Sequence, residues 1–205
     1  MPKIRAHFEA LKAYLPAGSF EPVMDLIERH KVHLTISKER QTKLGDYRHA
    51  WHHENHRISV NGNLNVHAFL ITLLHELAHL LAFEQFGGRI AAHGKEWKML
   101  YSQLLKWYID NGIFPDDIAQ ELRMMLGNPA ATTAGEDALQ RVLRKYDEHK
   151  PGHATVEDLP EGVRFKLSDG REFVRGKQIR KRIRCIEWPS QRIYLFHPLY
   201  EVLTA

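Results

Sequence analysis

Between Val66 and Phe86 the chain runs without Pro or Gly through Phe69-Leu70-Ile71-Thr72-Leu73-Leu74 and Leu80-Leu81, and inside this apolar run stand His75-Glu76-Leu77-Ala78-His79. Such a segment predicts a helix over about 66–86, and a helix stacks residues i and i+4 on one face. His75 and His79 then present their imidazoles to one point, the geometry that chelates zinc, and Glu76 stands next to them as a general base toward water at that point. Burial and propensity would both place Leu or Ala at these positions, so the two histidines need a reason. The bland reading is a core helix whose histidines are satisfied by hydrogen bonds; the chemical reading is a zinc-dependent peptidase.

A catalytic zinc takes three protein ligands and leaves one position for water. The metzincin continuation is absent, because Ala82 and Gln85 stand where Gly and His are required. Gly87-Gly88 closes the helix, and Arg89-Ile90-Ala91-Ala92-His93-Gly94-Lys95-Glu96-Trp97 opens another, expected over 93–109. His93 is the preferred third ligand and Glu96 its competitor, since a Glu on a following helix fills this role in thermolysin-like sites.

These residues resemble the SprT-like family, which includes the Spartan proteases. The resemblance rests on Leu73-Leu74-His75-Glu76-Leu77-Ala78-His79, a short Gly-containing turn, and His93-Gly94-x-x-Trp97. It extends upstream through Thr42-Lys43-Leu44-Gly45-Asp46-Tyr47-Arg48 and His56-Arg57-Ile58-Ser59-Val60-Asn61, and covers about 20–112. It implies that His75, His79 and His93 bind zinc, that Glu76 is the catalytic base, and that the substrates are proteins engaged with or crosslinked to DNA, with DNA as a partner or activator.

Two helices are expected at 4–15 and 20–30, then strands at 32–36, 44–48 and 57–60. The 66–86 and 93–109 helices follow, and a further helix starts at Pro115-Asp116-Asp117, where Pro and acids suit a first turn. Residues 128–152 read as a linker holding a short charged helix at 136–146. Beyond it come short β segments at 163–167, 171–174, 179–186 and 193–196, with turns at Asp169-Gly170, Gly176 and Pro189-Ser190. The expected fold is α+β: a zincin-type, minimal gluzincin-like protease domain over 1–127, with a small antiparallel sheet packed on helices, and a small basic β module over 153–205.

From Val163 to Ala205 there are 10 Lys/Arg against 4 Asp/Glu, with Arg180, Lys181, Arg182 and Arg184 clustered near Trp188, Tyr194 and Phe196. Cations beside aromatics suit phosphates and stacked bases, whereas the bland reading is a sheet with solvated charges. Many relatives in the SprT-like family carry a four-cysteine zinc ribbon after the protease domain, but Cys185 is the chain's only cysteine. A Cys₄ site is therefore excluded, and the module reads as a degenerate ribbon held by apolar packing. One Zn²⁺ per chain is expected. Cys185 reads as a buried small hydrophobe, and a mixed site from Cys185, His149, His153 and His197 lacks the usual paired spacing.

His49, His52, His53 and His56 with Glu54 form the densest histidine cluster, read as a solvated loop near the cleft. Tyr47 and Arg48 are expected on an edge strand that could take substrate as an added strand, Tyr47 being also a candidate to stabilise the oxyanion, and Trp97 beneath the site as core. The single cysteine leaves no disulfide partner and fits a reducing cytoplasm, no apolar run reads as a membrane span, and the net charge of +4 permits nucleic-acid binding. The partners implied are a protein or peptide substrate and DNA. Two rivals remain: a regulatory peptidase with no nucleic acid, and a non-catalytic DNA-associated module with structural zinc.

Overall fold

The computed structural model describes residues 9–40, 42–50, 55–130 and 137–204. The chain divides into two compact units, 1–147 and 148–205, each with its own apolar core.

In the first unit a 3₁₀ helix, Glu9–Tyr14, occupies the described part of the expected first helix. Helix α1 (Phe20–Arg29) buries Val23, Met24 and Ile27 and leads into strand β1 (Val32–Ser37). Strands β2 (Gly45–Arg48) and β3 (His56–Asn61) complete a sheet of order β1-β3-β2. β2 pairs antiparallel with β3, but β1 pairs parallel with it, so the sheet is mixed where the sequence suggests an antiparallel one. Burial accounts for the order and not for the direction: β3, with Ile58 and Val60 almost fully enclosed, takes the centre, and β1 and β2 flank it.

Helix α2 (Val66–Phe86) lies against β2 and β3 and against helix α3 (Lys95–Asp110). Asn65 caps its start by accepting from the backbone N–H groups of His67 (3.1 Å) and Ala68 (2.9 Å), and Gly87, at φ +76°, ends it. A helix apolar on nearly every side belongs in a core. By length and composition α2 could cross a membrane, contrary to the sequence reading, but 67% of its most apolar window is buried in this fold.

Helix α4 (Asp116–Met125) buries Ile118, Ala119 and Leu122, and helix α5 (Asp137–Arg144) buries Leu139 and Leu143. Where the sequence reading places a linker, α5 thus packs into the first core. The Asn65 side-chain amide donates to the Leu143 carbonyl (3.0 Å) and to Asp147 Oδ1 (2.6 Å), fastening this segment to the start of α2.

The second unit is a six-stranded antiparallel sheet of order β4-β9-β5-β6-β7-β8. Its strands are β4 (His153–Thr155), β5 (Arg164–Lys166), β6 (Glu172–Ile179), β7 (Arg182–Trp188), β8 (Ile193–Phe196) and β9 (Glu201–Leu203). Phe165, Phe173, Ile183, Cys185 and Phe196 form its core. Gly176 is not a turn. It lies within β6, where the register with β7 shifts between Arg175 and Gln178, and a Cβ there would stand 2.6 Å from the Arg184 carbonyl oxygen. The reversal falls later, at Arg180-Lys181, with Arg180 at φ +54°. Gly176→Ala should therefore destabilise the second unit by about 1–3 kcal/mol, read as a lower denaturation midpoint of the full chain.

Candidate metal centre

His75 and His79 project from the middle of α2, one turn apart, while His93 arrives from the turn before α3. That turn is closed by Gly94 N–H donating to the Ala91 carbonyl at 3.0 Å. The helix expected from His93 begins two residues later, because Gly94, in extended backbone, serves as its N-cap. The three Nε2 atoms form a triangle with sides of 3.2 Å (75–79), 3.1 Å (79–93) and 3.3 Å (93–75).

Mutual hydrogen bonding cannot satisfy this triangle. Each Nε2 is either donor or acceptor, so among three at least two have the same role and one side always opposes like with like. A tetrahedral metal bound at about 2.0–2.1 Å sets its ligand nitrogens about 3.3 Å apart, which these spacings fit. Burial first, then the neighbouring imidazoles, push His75 down to about 3; burial and His93 push His79 down to about 4. Burial, with Lys98 as second cause, lowers His93 as well. All three are thus neutral near pH 7, with lone pairs available to a cation. No fourth His, Cys, Asp or Glu donor joins them among the described residues. Glu96, the rival ligand, stays outside this group and lies 4.0 Å from Lys95 Nζ.

Trp97 is fully buried beneath the triangle, its ring centroid 4.7 Å from His75, 5.2 Å from His79 and 4.7 Å from His93. Its indole N–H donates to the His75 carbonyl at 3.4 Å. Tyr47 stands beside one ligand: its ring is parallel to that of His79 (6.4 Å, 3°), and its hydroxyl donates to His56 Nδ1 at 2.9 Å. Ala50 N–H donates to the same nitrogen, which leaves the proton of His56 on Nε2, 3.5 Å from Glu84 Oε1. His30 pairs with the other Glu84 oxygen at 2.7 Å. Of the histidine cluster, His49 stacks on Phe83 and His56 lies within β3, whereas His52, His53 and Glu54 fall outside the described residues.

Glu76 is 7% exposed, and burial, followed by the nearby Asp46 charge, pushes its carboxyl up to about 8, against the opposing pull of Arg40 and Lys43. Its side chain lies on the backbone of β2. A Cβ at Gly45 would meet Glu76 Cγ at 2.8 Å and Cδ at 2.9 Å, and Oε1 more closely still. Gly45 therefore makes room for the carboxylate, a role the sequence reading missed although a Gly opening a short strand signals close approach. The Arg40 guanidinium anchors the entry to β2 by donating to Asn61 Oδ1 (2.8 Å) and Ser59 Oγ (3.0 Å), and the Asn61 amide returns bonds to the carbonyls of Arg40 and Lys43.

Arg180 and Lys181 occupy the β6–β7 turn, and Arg182 and Arg184 alternate along β7. They lie in the second unit and take no part in the triangle. Cys185 is buried, His153 pairs with Glu201 (2.7 Å), and His197 Nδ1 accepts from Leu199 N–H (3.2 Å).

The sequence profile of the SprT-like family matches residues 8–119, more than half of the chain and all of the residues just described around the triangle. Protein SprT of Shigella boydii serotype 18 is 45% identical over 56 residues, 25% of this chain and 33% of that protein. Protein SprT of Yersinia pestis is 62% identical over 32 residues, 16% of this chain and 18% of that protein. Protein SprT of Glaesserella parasuis serovar 5 is 58% identical over 31 residues, 15% and 19% of the two chains. The matched stretches thus span a third or less of these relatives. No solved structure matches the chain significantly. With its profile carried across the mixed sheet, α2 and α3, the chain belongs to the SprT-like family.

Proposed function

We propose that this protein is a zinc metallopeptidase of zincin type, with His75, His79 and His93 as ligands and Glu76 as general base. The observation that carries the reading is the triangle of three neutral imidazoles beside a buried carboxylate. Three nitrogen ligands with an open fourth position are the donor set of a catalytic zinc, and a purely structural site has no use for Glu76. Zinc held there supplies Lewis acidity, lowering the pKa of water and polarising a peptide carbonyl.

The chain's own residues do the rest. Glu76, in its ionised form, which a cation held at the triangle would favour, takes the proton of the attacking water and returns it to the amide nitrogen of the leaving segment. Gly45 lets that carboxylate lie close to β2, while Arg40 and Asn61 hold the strand in place. Trp97, against all three rings, fixes the imidazole planes, with Tyr47 parallel to His79. Strand β2 is one of the two edges of the sheet and pairs only with β3 among the described residues; it is the edge beside Glu76, and a substrate added alongside it would pass the site in extended form.

A second element concerns DNA, proposed here as the partner that brings protein substrates to the enzyme. The supporting observation lies in the second unit, where Arg182 and Arg184 alternate on β7 with the enclosed Ile183 and Cys185, and Arg164 stacks on the exposed Trp188 at 4.7 Å. Basic groups next to an exposed indole suit a phosphate backbone with unstacked bases.

Three outcomes test these readings. His93→Ala should lose most bound zinc while Glu96→Ala keeps it, as measured by metal analysis after dialysis; the reverse result would move the third ligand to Glu96. Glu76→Gln should retain zinc and lose about 10²–10⁴-fold in kcat, and Gly45→Ala, which displaces the carboxylate, about 10²-fold with zinc still bound. Replacing Arg180, Lys181, Arg182 and Arg184 together by Ala should flatten the salt dependence of DNA affinity by about 0.7–0.9 for each phosphate that the protein no longer neutralises, seen by titration at several salt concentrations.

A further inference from the structure

A cleft of about 680 Å³ opens from His93 and Gly94 and follows one face of α3 toward the segment after α4. Its floor and walls come from the helical positions 95, 98, 99, 102 and 103, the i, i+3, i+4 pattern of a single face, and from Leu126 to Asn128 opposite. Two hydrogen bonds tie the walls together: Ser102 Oγ donates to the Leu126 carbonyl (2.6 Å) and Lys98 Nζ to Asn128 Oδ1 (2.6 Å). The cleft is therefore built into the unit, and His93 belongs to both it and the metal triangle.

Its chemistry is one-sided. Lys95 and Lys98 line it, and none of the described lining residues is a carboxylate. Lys98 is held by a neutral amide, which positions its charge without cancelling it. Lys95 is 92% exposed and only 4.0 Å from Glu96, a pairing too solvated to neutralise it. Met99 is 43% exposed and, with Leu126, offers an apolar bed for an alkyl stem. From Lys95 to Gln103 the helix face extends about 12 Å, the reach of about three or four residues of extended chain.

We infer that this cleft is a substrate subsite that selects an acidic side chain, Glu above all, within a few residues of the scissile bond, the carboxylate meeting Lys98 and Lys95 and the methylenes resting on Met99. The inference rests on the peptidase reading and names the substrate preference of that same site. The groove opens from a residue of the metal triangle itself, so a chain that reaches the metal and continues along α3 must enter it. Peptide is favoured over nucleic acid as occupant for that reason.

The test uses the zinc-loaded full chain and a quenched-fluorescent peptide library in which Glu, Gln and Lys are placed in turn at each position around the cleaved bond. At one or more positions the Glu peptide should exceed its Gln counterpart by about five-fold in kcat/KM, a ratio typical of a partly exposed charge pair, and the preference should shrink in 0.5 M salt. Lys98→Glu should invert the order of the Glu and Lys peptides; Lys95→Glu, at an exposed site where folding is not at risk, should reduce it in the same direction. Cleavage with equal Glu, Gln and Lys rates at every position would overturn the subsite and leave the peptidase reading standing. No cleavage of any peptide would overturn both. A flat peptide profile together with loss of binding to labelled single-stranded DNA in the two variants would overturn the subsite by assigning the cleft to nucleic acid.

Discussion

Three uncharged imidazoles and a carboxylate lie close together between the apolar helix α2, the turn before α3 and strand β2, and their burial is the constraint on which the rest of the first unit depends. Burial keeps the imidazoles neutral, since a charged ring in this setting loses its hydration. It also fixes their geometry, because α2 is enclosed by the sheet on one side and α3 on the other and cannot rotate without exposing Leu73, Leu74, Leu77 or Leu80. The neutral state and the fixed direction are both what a metal needs, and one cause supplies both. Trp97 adds the third side by touching all three rings.

The carboxylate poses the opposite problem. Burial that helps an imidazole stay neutral also favours a protonated Glu76, whereas a general base must be ionised. Nearby charge offsets only part of this: Arg40 and Lys43 oppose the upward push, and Lys43 at 2.7 Å and Arg48 at 3.1 Å pair with the Asp46 carboxylate that adds to it, yet the Glu76 carboxyl still rests at about 8. A bound cation at the triangle would act in the same direction as Arg40 and Lys43. The loop that carries Arg40 and Lys43 is tied to the end of β3 through Asn61, a 1%-exposed polar side chain with its hydrogen bonds made. The charge around Glu76 and the strand entry thus depend on the same few contacts.

Much of this is legible from residues alone. The bounds of α2 coincide with the apolar run because Asn65 and Gly87 punctuate it chemically, and the histidine spacing follows from helical periodicity. Strand direction is not legible: alternation along 32–36 and 57–60 reports burial, which is the same in parallel and antiparallel pairs. α5 reads as part of a linker because its composition is charged, although Leu139 and Leu143 at i, i+4 suffice to bury one face. β4 and β9, three residues each, are too short for a period-two pattern to declare itself. Gly176 reads as a turn because Gly serves turns and bulges equally, and only pairing across β7 separates the two. The Tyr47–His56–Glu84–His30 chain joins the β2–β3 pair to α2 and to the end of α1, and no local pattern announces it.

The second unit holds a small sheet together by ring packing. Cores of this size are thin and have little apolar burial to set against chain entropy. Here Phe173 meets Phe196 at 5.0 Å, Tyr194 at 5.3 Å and Phe165 at 5.7 Å, and Phe196 meets Phe165 at 5.6 Å, so a cluster of rings spans β5, β6 and β8. Cys185 on β7 is enclosed in the same core and behaves as a small apolar residue, its thiol pushed up by burial. These four aromatic side chains, drawn from three strands, supply much of the unit's cohesion. With the inner face devoted to ring packing, the charges of Arg182 and Arg184 remain on the outward positions of β7, at or near solvent, where a polyanion can reach them.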